Sequence, residues 1–471
     1  MTDRVYKKKV LALMSGGVDS SVAAALLCAQ GYEVAGVYLK LYESRNTTEL
    51  ETEHHGIGDP CWAQEMRDAA QVAAKLGIPL QVWDVTAEYK ARVLQNFYSE
   101  YAAGRTPNPD VLCNSEIKFG VGLERALAAG YDFVATGHYA RIHNPSQPPL
   151  ILRGGDRAEP PLKLRGGEGE LCQLYTAVDQ NKDQSYFLWR LTQEQLRHVL
   201  FPIGEYTKPQ VRALARQFGL HNWNKKDSQG VCFLGKIELK EFLYGVEDGP
   251  PLTPPRGGGE IAKQFPPLTK GRLGGVRKTG PIIDVHGTLL GFHDGLAHFT
   301  IGQRHGTKLG GTGPYFVVEK DMARNVLIVA HESEEQKYRT FRCQVSGVRW
   351  IGERPPDGAR LMARTRYRAQ LTSLEYYHIS EYASMEQKFH SSKYGTFCRV
   401  TFAEPQRAVA PGQSIVFYEG ERVVGGGVID AVRLLNEPRA NSKFQAPKHK
   451  EIPSTKTQIT KVWDLKFRIY L

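Results

Sequence analysis

The chain has 471 residues, 41% hydrophobic and 24% charged, too long for one ordinary core, so two or three domains are expected. Its net charge of +11 invites a nucleic-acid partner, yet Arg439 to Leu471 alone carries +6 and Val246 to Pro281 a further +3, so basicity by itself does not describe a shaped RNA surface. No apolar run reaches the roughly 18 residues of a membrane span, MTDRVYKKKV lacks a signal-peptide core, and seven scattered cysteines without a CxxC pair argue against a zinc ribbon or disulfide scaffold. A soluble, cytoplasmic protein is expected.

From the N-terminus, KKVLALM (8–14), EVAGVYLK (33–40), IPLQVWDV (78–85) and YDFVATGHYA (131–140) read as buried strands. Between them, 20–31, 61–77, 87–104 and 116–130 read as helices, each closing on a glycine suited to a C-terminal cap. This rhythm predicts an α/β fold with a doubly wound parallel sheet, spanning 1–220 with a Pro/Gly-rich insertion at about 145–170. A small central domain is expected over 221–312, interrupted at about 247–280, where seven prolines and eight glycines fill 33 positions from Gly249 to Pro281. A template of PPL followed by arginine and paired glycines recurs at 148, 160, 250 and 266, and both blocks read as loop insertions. Short alternating runs from Tyr315 to Asp430 predict a C-terminal antiparallel barrel over 313–435, with an insertion at about 371–396 and a basic tail over 436–471.

SGGVDSS, Ser15 to Ser21, lies between the first strand and helix, beyond a strand C-terminus, where open α/β sheets bind ligands. It is not a Walker loop, since GxxxxGK[ST] is absent. Gly16 and Gly17 let backbone N–H groups converge on an oxyanion, Ser20 and Ser21 stand at a helix N-terminus that favours phosphate, and Asp19 suits an accompanying magnesium ion. In TPNPDVLCN (106–114), two prolines fix an extended turn, and Asn114 or Ser115 is expected to cap a helix beginning near Ile117. That cap puts Cys113 beside a helix N-terminus, which favours a thiolate, with Asp110 in reach to move a proton. A second cysteine, Cys232, follows Ser228, Gln229 and Gly230 in KKDSQGVCF.

SGGVDSS resembles the pyrophosphatase loop of the N-type ATP pyrophosphatases. Together with TPNPDVLCN and KKDSQGVCF, and with ATGHYAR (135–141), KDQSYFL (182–188), HFTIGQR (298–304) and ARTRYR (363–368) in the same order, the chain is similar to the tRNA-specific 2-thiouridylase family from about Val10 to Asp430. The resemblance implies ATP, with Mg2+, as cofactor, bound by Met14, Ser15, Gly16, Gly17, Val18, Asp19, Ser20, Ser21, Leu39 and Gly137. It implies a persulfide on Cys232, supplied by a sulfur-donor protein in a relay from a cysteine desulfurase. Cys113 is then the nucleophile, Asp110 the acid/base, and a Cys113–Cys232 disulfide the by-product. Asn108, Pro109 and Asp110 match contacts to the target base; His138, Lys182, Asp183, Gln184, Arg366, Tyr367 and Gln413 match tRNA contacts. No resident metal site and no membrane partner are implied. Another ATP pyrophosphatase acting on a different base or a carboxylate, and a non-catalytic RNA-binding protein, are the competing readings; the presence of Asp19, Cys113 and Cys232 disfavours the last.

Overall fold

The computed structural model describes residues 7–42, 61–145, 171–226, 243, 279–307, 309, 313–356, 358–381, 396–436 and 438. Cys232, residues 146–170 and 247–278 of the two Pro/Gly-rich insertions, and nearly all of the basic tail lie outside the described residues. In chain order the first unit runs β1 (Lys9–Leu13), α1 (Val18–Ala29), β2 (Glu33–Lys40), α2 (Cys61–Leu76) and β3 (Leu80–Asp84). It continues with α3 (Thr86–Tyr89), a π turn (Lys90–Leu94), α4 (Gln95–Ala102), α5 (Pro109–Leu112), a π helix (Cys113–Val121), α6 (Gly122–Ala128) and β4 (Phe133–Ala135). The short strands β5 (Arg141–His143) and β6 (Gln173–Tyr175) follow, then α7 (Gln193–Arg197), β7 (Val199–Leu200) and α8 (Lys208–Gln217).

Five of these strands form the parallel sheet β3-β2-β1-β4-β7. Side chains alternate across β1, so Leu11 and Leu13 join Val37 and Val134 in one core while Val10, Ala12 and Met14 join Val34 and Ala135 in the other. Burial on both faces explains why the run is continuously apolar. Helix α1 is buried nearly all round, which its sequence VDSSVAAALLCA permits because its bulk is small. β3 departs from the expected burial: it is an edge strand, with Val82 49% exposed.

The second sheet joins β8 (Gly280–Asp284), β9 (Leu289–His293), β10 (Tyr315–Asp321) and β11 (Val326–His331) in the order β10-β11-β8-β9. β11 runs parallel to β8, Leu327 opposite Ile282. This corrects the expected barrel start at 313: the runs YFVVEKD and NVLIVA complete the central sheet, whose apolar faces Ile282, Val317, Leu327 and Val329 they bury.

The barrel itself is built from β12 (Thr340–Trp350), β13 (Met362–Arg364), β14 (Thr372–Glu381), β15 (Thr396–Gln406), β16 (Ser414–Glu419) and β17 (Arg422–Leu434). It closes through pairing of β12 with β17, which removes both free edges. The insertion expected from 371 therefore contains a barrel strand: β14 pairs antiparallel with both β13 and β15. Arg368, at φ 60°, turns the chain between β13 and β14.

The α/β unit and the barrel are joined by the KDQSYF segment. β6 adds to β17, Leu174 opposite Val423, and Leu174, Tyr186 and Trp189 share a core with Val416, Tyr418 and Val423. At the seam the Asp183 side chain, 0% exposed, accepts from Arg364 Nη1 (2.7 Å), Ser185 Oγ (3.1 Å) and the backbone N–H groups of Ala177 (3.1 Å) and Ser185 (3.2 Å). Arg364→Ala leaves that carboxylate buried without its counter-ion. The expected cost is about 3–5 kcal/mol, read as a large fall in the urea midpoint; an unchanged midpoint would contradict a buried, functioning pair.

Candidate active site

Gly16 sits at φ 71°, and a Cβ there would lie 2.2 Å from the Glu65 carbonyl oxygen, so the α2 backbone closes one side of SGGVDSS. On the opposite side Gly137 follows β4, where a Cβ would stand 2.5 Å from Ser20 N and 2.6 Å from Asp19 C. Gly17 faces space: a Cβ would meet only Ser15 Oγ, at 3.5 Å. The bend is pinned from behind by Asn222 Nδ2, which donates to Gly16 O (3.1 Å) and Ser21 Oγ (3.0 Å), and by Lys225 Nζ, which reaches Gly16 O (3.3 Å) and Asp68 Oδ2 (2.5 Å). Ser20 and Ser21 hydroxyls both donate to Gly17 O, at 3.2 and 2.7 Å. The result is a rigid backbone cradle at the start of α1, a site suited to a polyphosphate.

Asp19 is held by Lys208 Nζ at 2.7 and 2.9 Å and by the Tyr139 hydroxyl at 2.9 Å. Lys208 enters from the N-terminus of α8, 10% exposed at its side chain against 30% for Asp19. A cation and a carboxylate thus meet at the mouth of the cradle. Met14 is buried under the cradle and its N–H donates to Val37 O (2.8 Å). Leu39, at the end of β2, packs on the core that contains Cys113. All expected nucleotide residues are thereby gathered at the C-terminal edge of the sheet.

The helix carrying Cys113 begins earlier than expected. Asn108 is the N-cap, its Oδ1 accepting from Val111 N (3.4 Å), with Pro109 in the first turn and Asp110 beside the helix dipole. Asn114 and Ser115 are buried inside the π helix; Asn114 Nδ2 donates to Phe187 O (3.4 Å). Cys113 consequently lies a turn inside the helix, 1% exposed among Tyr89, Phe97 and Ile117. Burial pushes its thiol up to about 11; Asp110 adds to this and Lys118 opposes it. The expectation of an activated thiolate is therefore reversed in this arrangement: the thiol is stored protonated.

That shift fixes a pH dependence. The folded state holds the thiol proton more tightly than the unfolded chain, so the stability it contributes is complete below pH 9 and is lost as pH rises towards 11. In the same window Cys113 alkylation by iodoacetamide, followed by peptide mass spectrometry, is expected to climb with pH; rapid alkylation at pH 7 would contradict a buried, protonated thiol.

Several residues expected at the RNA face point inward. His138 is buried, its Nδ1 2.7 Å from Thr136 Oγ1, and burial with Lys118 nearby holds its pKa well below the usual histidine value. Asp183 closes the seam described above. Gln184 Oε1 accepts from Tyr139 N (2.9 Å), and Gln413 Nε2 donates to the carbonyls of Thr106 (2.9 Å) and Pro107 (3.1 Å). Asn108, Lys182, Arg366 and Tyr367 are half-buried, and Tyr367 packs at 4.6 Å on Phe187. Among the described residues no group of three or more His, Cys, Asp or Glu could hold a metal, and no helix is long and apolar enough to cross a membrane.

Three family models match in succession: a tRNA methyl transferase HUP domain over 8–236, a tRNA methyl transferase PRC-barrel domain over 273–331 and an aminomethyltransferase beta-barrel domain over 340–429. Their limits follow the three sheets. Over nearly its whole length the chain is 39% identical to the tRNA-specific 2-thiouridylase MnmA of Lysinibacillus sphaericus, covering 91% of this chain and 96% of that one. The namesakes of Polynucleobacter asymbioticus (39%; 90% and 96%) and Methylococcus capsulatus (40%; 90% and 96%) align equally far. The chain belongs to the tRNA-specific 2-thiouridylase family.

Within this thiouridylase site, Lys208, Tyr139, Asn222 and Lys225 were not singled out from the sequence. Tyr139 lies inside ATGHYAR, and Lys208 follows Thr207 in TKPQVR, where Thr207 and Gln210 form a capping box. A lysine at a capped helix start, following an α/β sheet that holds a glycine cradle, is the signal that was present. Lys225 stood in the quoted KKDSQGVCF for its cysteine, and its reach to Gly16 O depends on a fold-back of α8 that no local pattern announces.

Proposed function

We propose that the chain is an ATP-dependent tRNA-uridine 2-sulfurtransferase, acting on the wobble uridine. The observation that carries the reading is the full-length family relationship together with a glycine cradle at whose mouth Asp19 is held by Lys208 and Tyr139. The cradle fits the β- and γ-phosphates of ATP: an added Cβ at Gly17 would meet only Ser15 Oγ, which leaves room beside the loop, and Lys208 can turn from Asp19 to a phosphate oxygen. Asp19 would hold magnesium, which when bound neutralises phosphate charge.

The uracil C2 oxygen attacks the α-phosphorus, and pyrophosphate leaves. An amide-like oxygen is a poor leaving group, whereas AMP is a good one, so activation precedes substitution. The terminal sulfur of a Cys232 persulfide then bonds to C2 and AMP departs with the former C2 oxygen. Cys113 thiolate attacks the Cys232 sulfur, breaking its bond to the transferred sulfur; 2-thiouridine is released and a Cys113–Cys232 disulfide remains for an external dithiol to reduce. Asp110, at the first turn of the helix that bears Cys113, takes the thiol proton. The persulfide comes from a donor protein and ultimately a cysteine desulfurase. Reaching a stacked base calls for its extrusion from the anticodon.

The test is reconstitution. Full-length protein with ATP, magnesium, a persulfide donor and an unmodified tRNA transcript is expected to yield 2-thiouridine by nucleoside mass spectrometry, with one AMP per thiolated base. Pyrophosphate release without any thiolated nucleoside would overturn the assignment.

A further inference from the structure

Gln413 matches a family position associated with tRNA, but its amide is already engaged. Its Nε2 carries two hydrogens, and both are committed, to Thr106 O at 2.9 Å and Pro107 O at 3.1 Å. These carbonyls belong to the segment that runs directly into Asn108, Asp110 and Cys113. The same turn of the barrel makes two more contacts with it: Pro411 O accepts from Thr106 N (2.8 Å), and Gly412, at φ 91°, brings its backbone so close that a Cβ would stand 2.8 Å from Thr106 O. The turn is itself fixed to β17, where Gly412 N donates to Ile429 O (2.8 Å) and Ile429 N donates to Gln413 O (2.9 Å). One residue upstream, Arg105 reaches Asp430 Oδ1 (3.1 Å) and Glu100 Oε2 (2.6 Å).

We infer that Gln413 is a positioning residue: through it the barrel holds Thr106 and Pro107, and through them sets where Asn108, Asp110 and Cys113 meet the base. Two features make the clamp necessary. Pro107 and Pro109 fix φ and transmit a displacement of Thr106 to Asp110 with little slack. A cavity of about 240 Å³ also lies along the seam, lined by Pro107, Asn108, Leu112, Gly412 and Ser414 among others, so packing alone does not hold the segment in place. The clamp is geometric and needs no RNA; its role in sulfur transfer rests on the function proposed above.

The experiment compares wild type, Gln413→Ala, Gln413→Glu and Gly412→Ala as full-length proteins. Glutamate keeps the length of the side chain but offers carboxylate oxygens to two carbonyls; alanine at 412 combines backbone strain with a clash at Thr106. Five quantities are read: amide hydrogen exchange over 105–112, the tRNA dissociation constant by filter binding, the single-turnover thiolation rate at saturating tRNA, the urea unfolding midpoint and the ATP dissociation constant. All three variants are expected to exchange faster at Thr106, to bind tRNA within about twofold of wild type, and to thiolate about ten- to a hundredfold more slowly, the scale of a small misplacement of reacting groups, with the midpoint and ATP binding kept. A dissociation constant raised with exchange and saturating rate unchanged would overturn the inference and make Gln413 an RNA contact. A lowered unfolding midpoint with loss of ATP binding would overturn it in favour of general disruption. Wild-type protein that does not thiolate would sink the proposed function, while the exchange comparison would still decide whether the clamp exists.

Discussion

Cys113→Ser is expected to leave ATP-dependent pyrophosphate release running while 2-thiouridine formation falls by about a thousandfold or more, as for loss of other catalytic nucleophiles. The separation follows from the proposed order of steps, in which the C2 oxygen meets the α-phosphorus before any thiol is used. Serine is nearly isosteric, so the core of Tyr89, Phe97 and Ile117 around position 113 should tolerate it. Its hydroxyl cannot break the S–S bond that joins Cys232 to the sulfur on C2 at neutral pH. The burial of Cys113 sharpens the expectation: a thiol pushed up to about 11 is inert until the loop from Thr106 moves or Asp110 takes its proton, so reactivity arises only with substrate in place. Cys232→Ser should give the same split. For Cys232→Ser the measurement is trapped adenylated tRNA, detected by a labelled α-phosphate; for Cys113→Ser it is a dithiol-reversible disulfide adduct between the protein and tRNA, with AMP already released. A variant thiolating at the wild-type rate would remove the two-cysteine mechanism.

The second large effect is expected at Gly16. Gly16→Ala places a methyl group 2.2 Å from the Glu65 carbonyl oxygen and forces a β-carbon into φ 71°, so the loop must leave the position that Asn222 and Lys225 hold. Backbone strain of this kind costs about 1–3 kcal/mol, and the displaced N–H groups lose their aim at phosphate. We expect the dissociation constant for ATP, by equilibrium dialysis, to rise by about a hundredfold, while tRNA binding changes little. Nucleotide affinity within twofold of wild type would show that the cradle does not hold the pyrophosphate.

Much of the fold was legible because its signals are local. A doubly buried strand such as β1 announces itself as VLAL, and the glycine loop after it is readable from residue type alone. The helix at Cys113 was misjudged because the Asn-Pro-Asp start was present but read as a turn; proline at the first helical position with an asparagine cap is a stronger start than Asn114. β5, β6 and β7 have two or three residues each, too few for any period to show. β14 was lost because Ser373, Glu375 and His378, all exposed, interrupt its apolar pattern. The central sheet was assigned to the barrel because YFVVEKD and NVLIVA read like any strands, and only the parallel pairing of β11 with β8 decides their sheet. In the site, Ser15 to Ser21 and Gly137 came from motif, whereas the Asp19–Lys208 pair spans 189 residues and is a product of tertiary folding. The same is true of Asp183, Gln184 and Gln413, whose motif positions could not reveal that their polar groups face inward.

In the proposed reaction the chain activates an RNA carbonyl by transferring AMP to it. A tRNA transcript carrying oxygen-18 at uracil C2, incubated with the protein, unlabelled ATP and a persulfide donor, tests it directly. Each 2-thiouridine formed is expected to be matched by one AMP bearing the heavy oxygen in its phosphate. Thiolation accompanied by unlabelled AMP would mean that the nucleotide activates some other group, and would contradict the account.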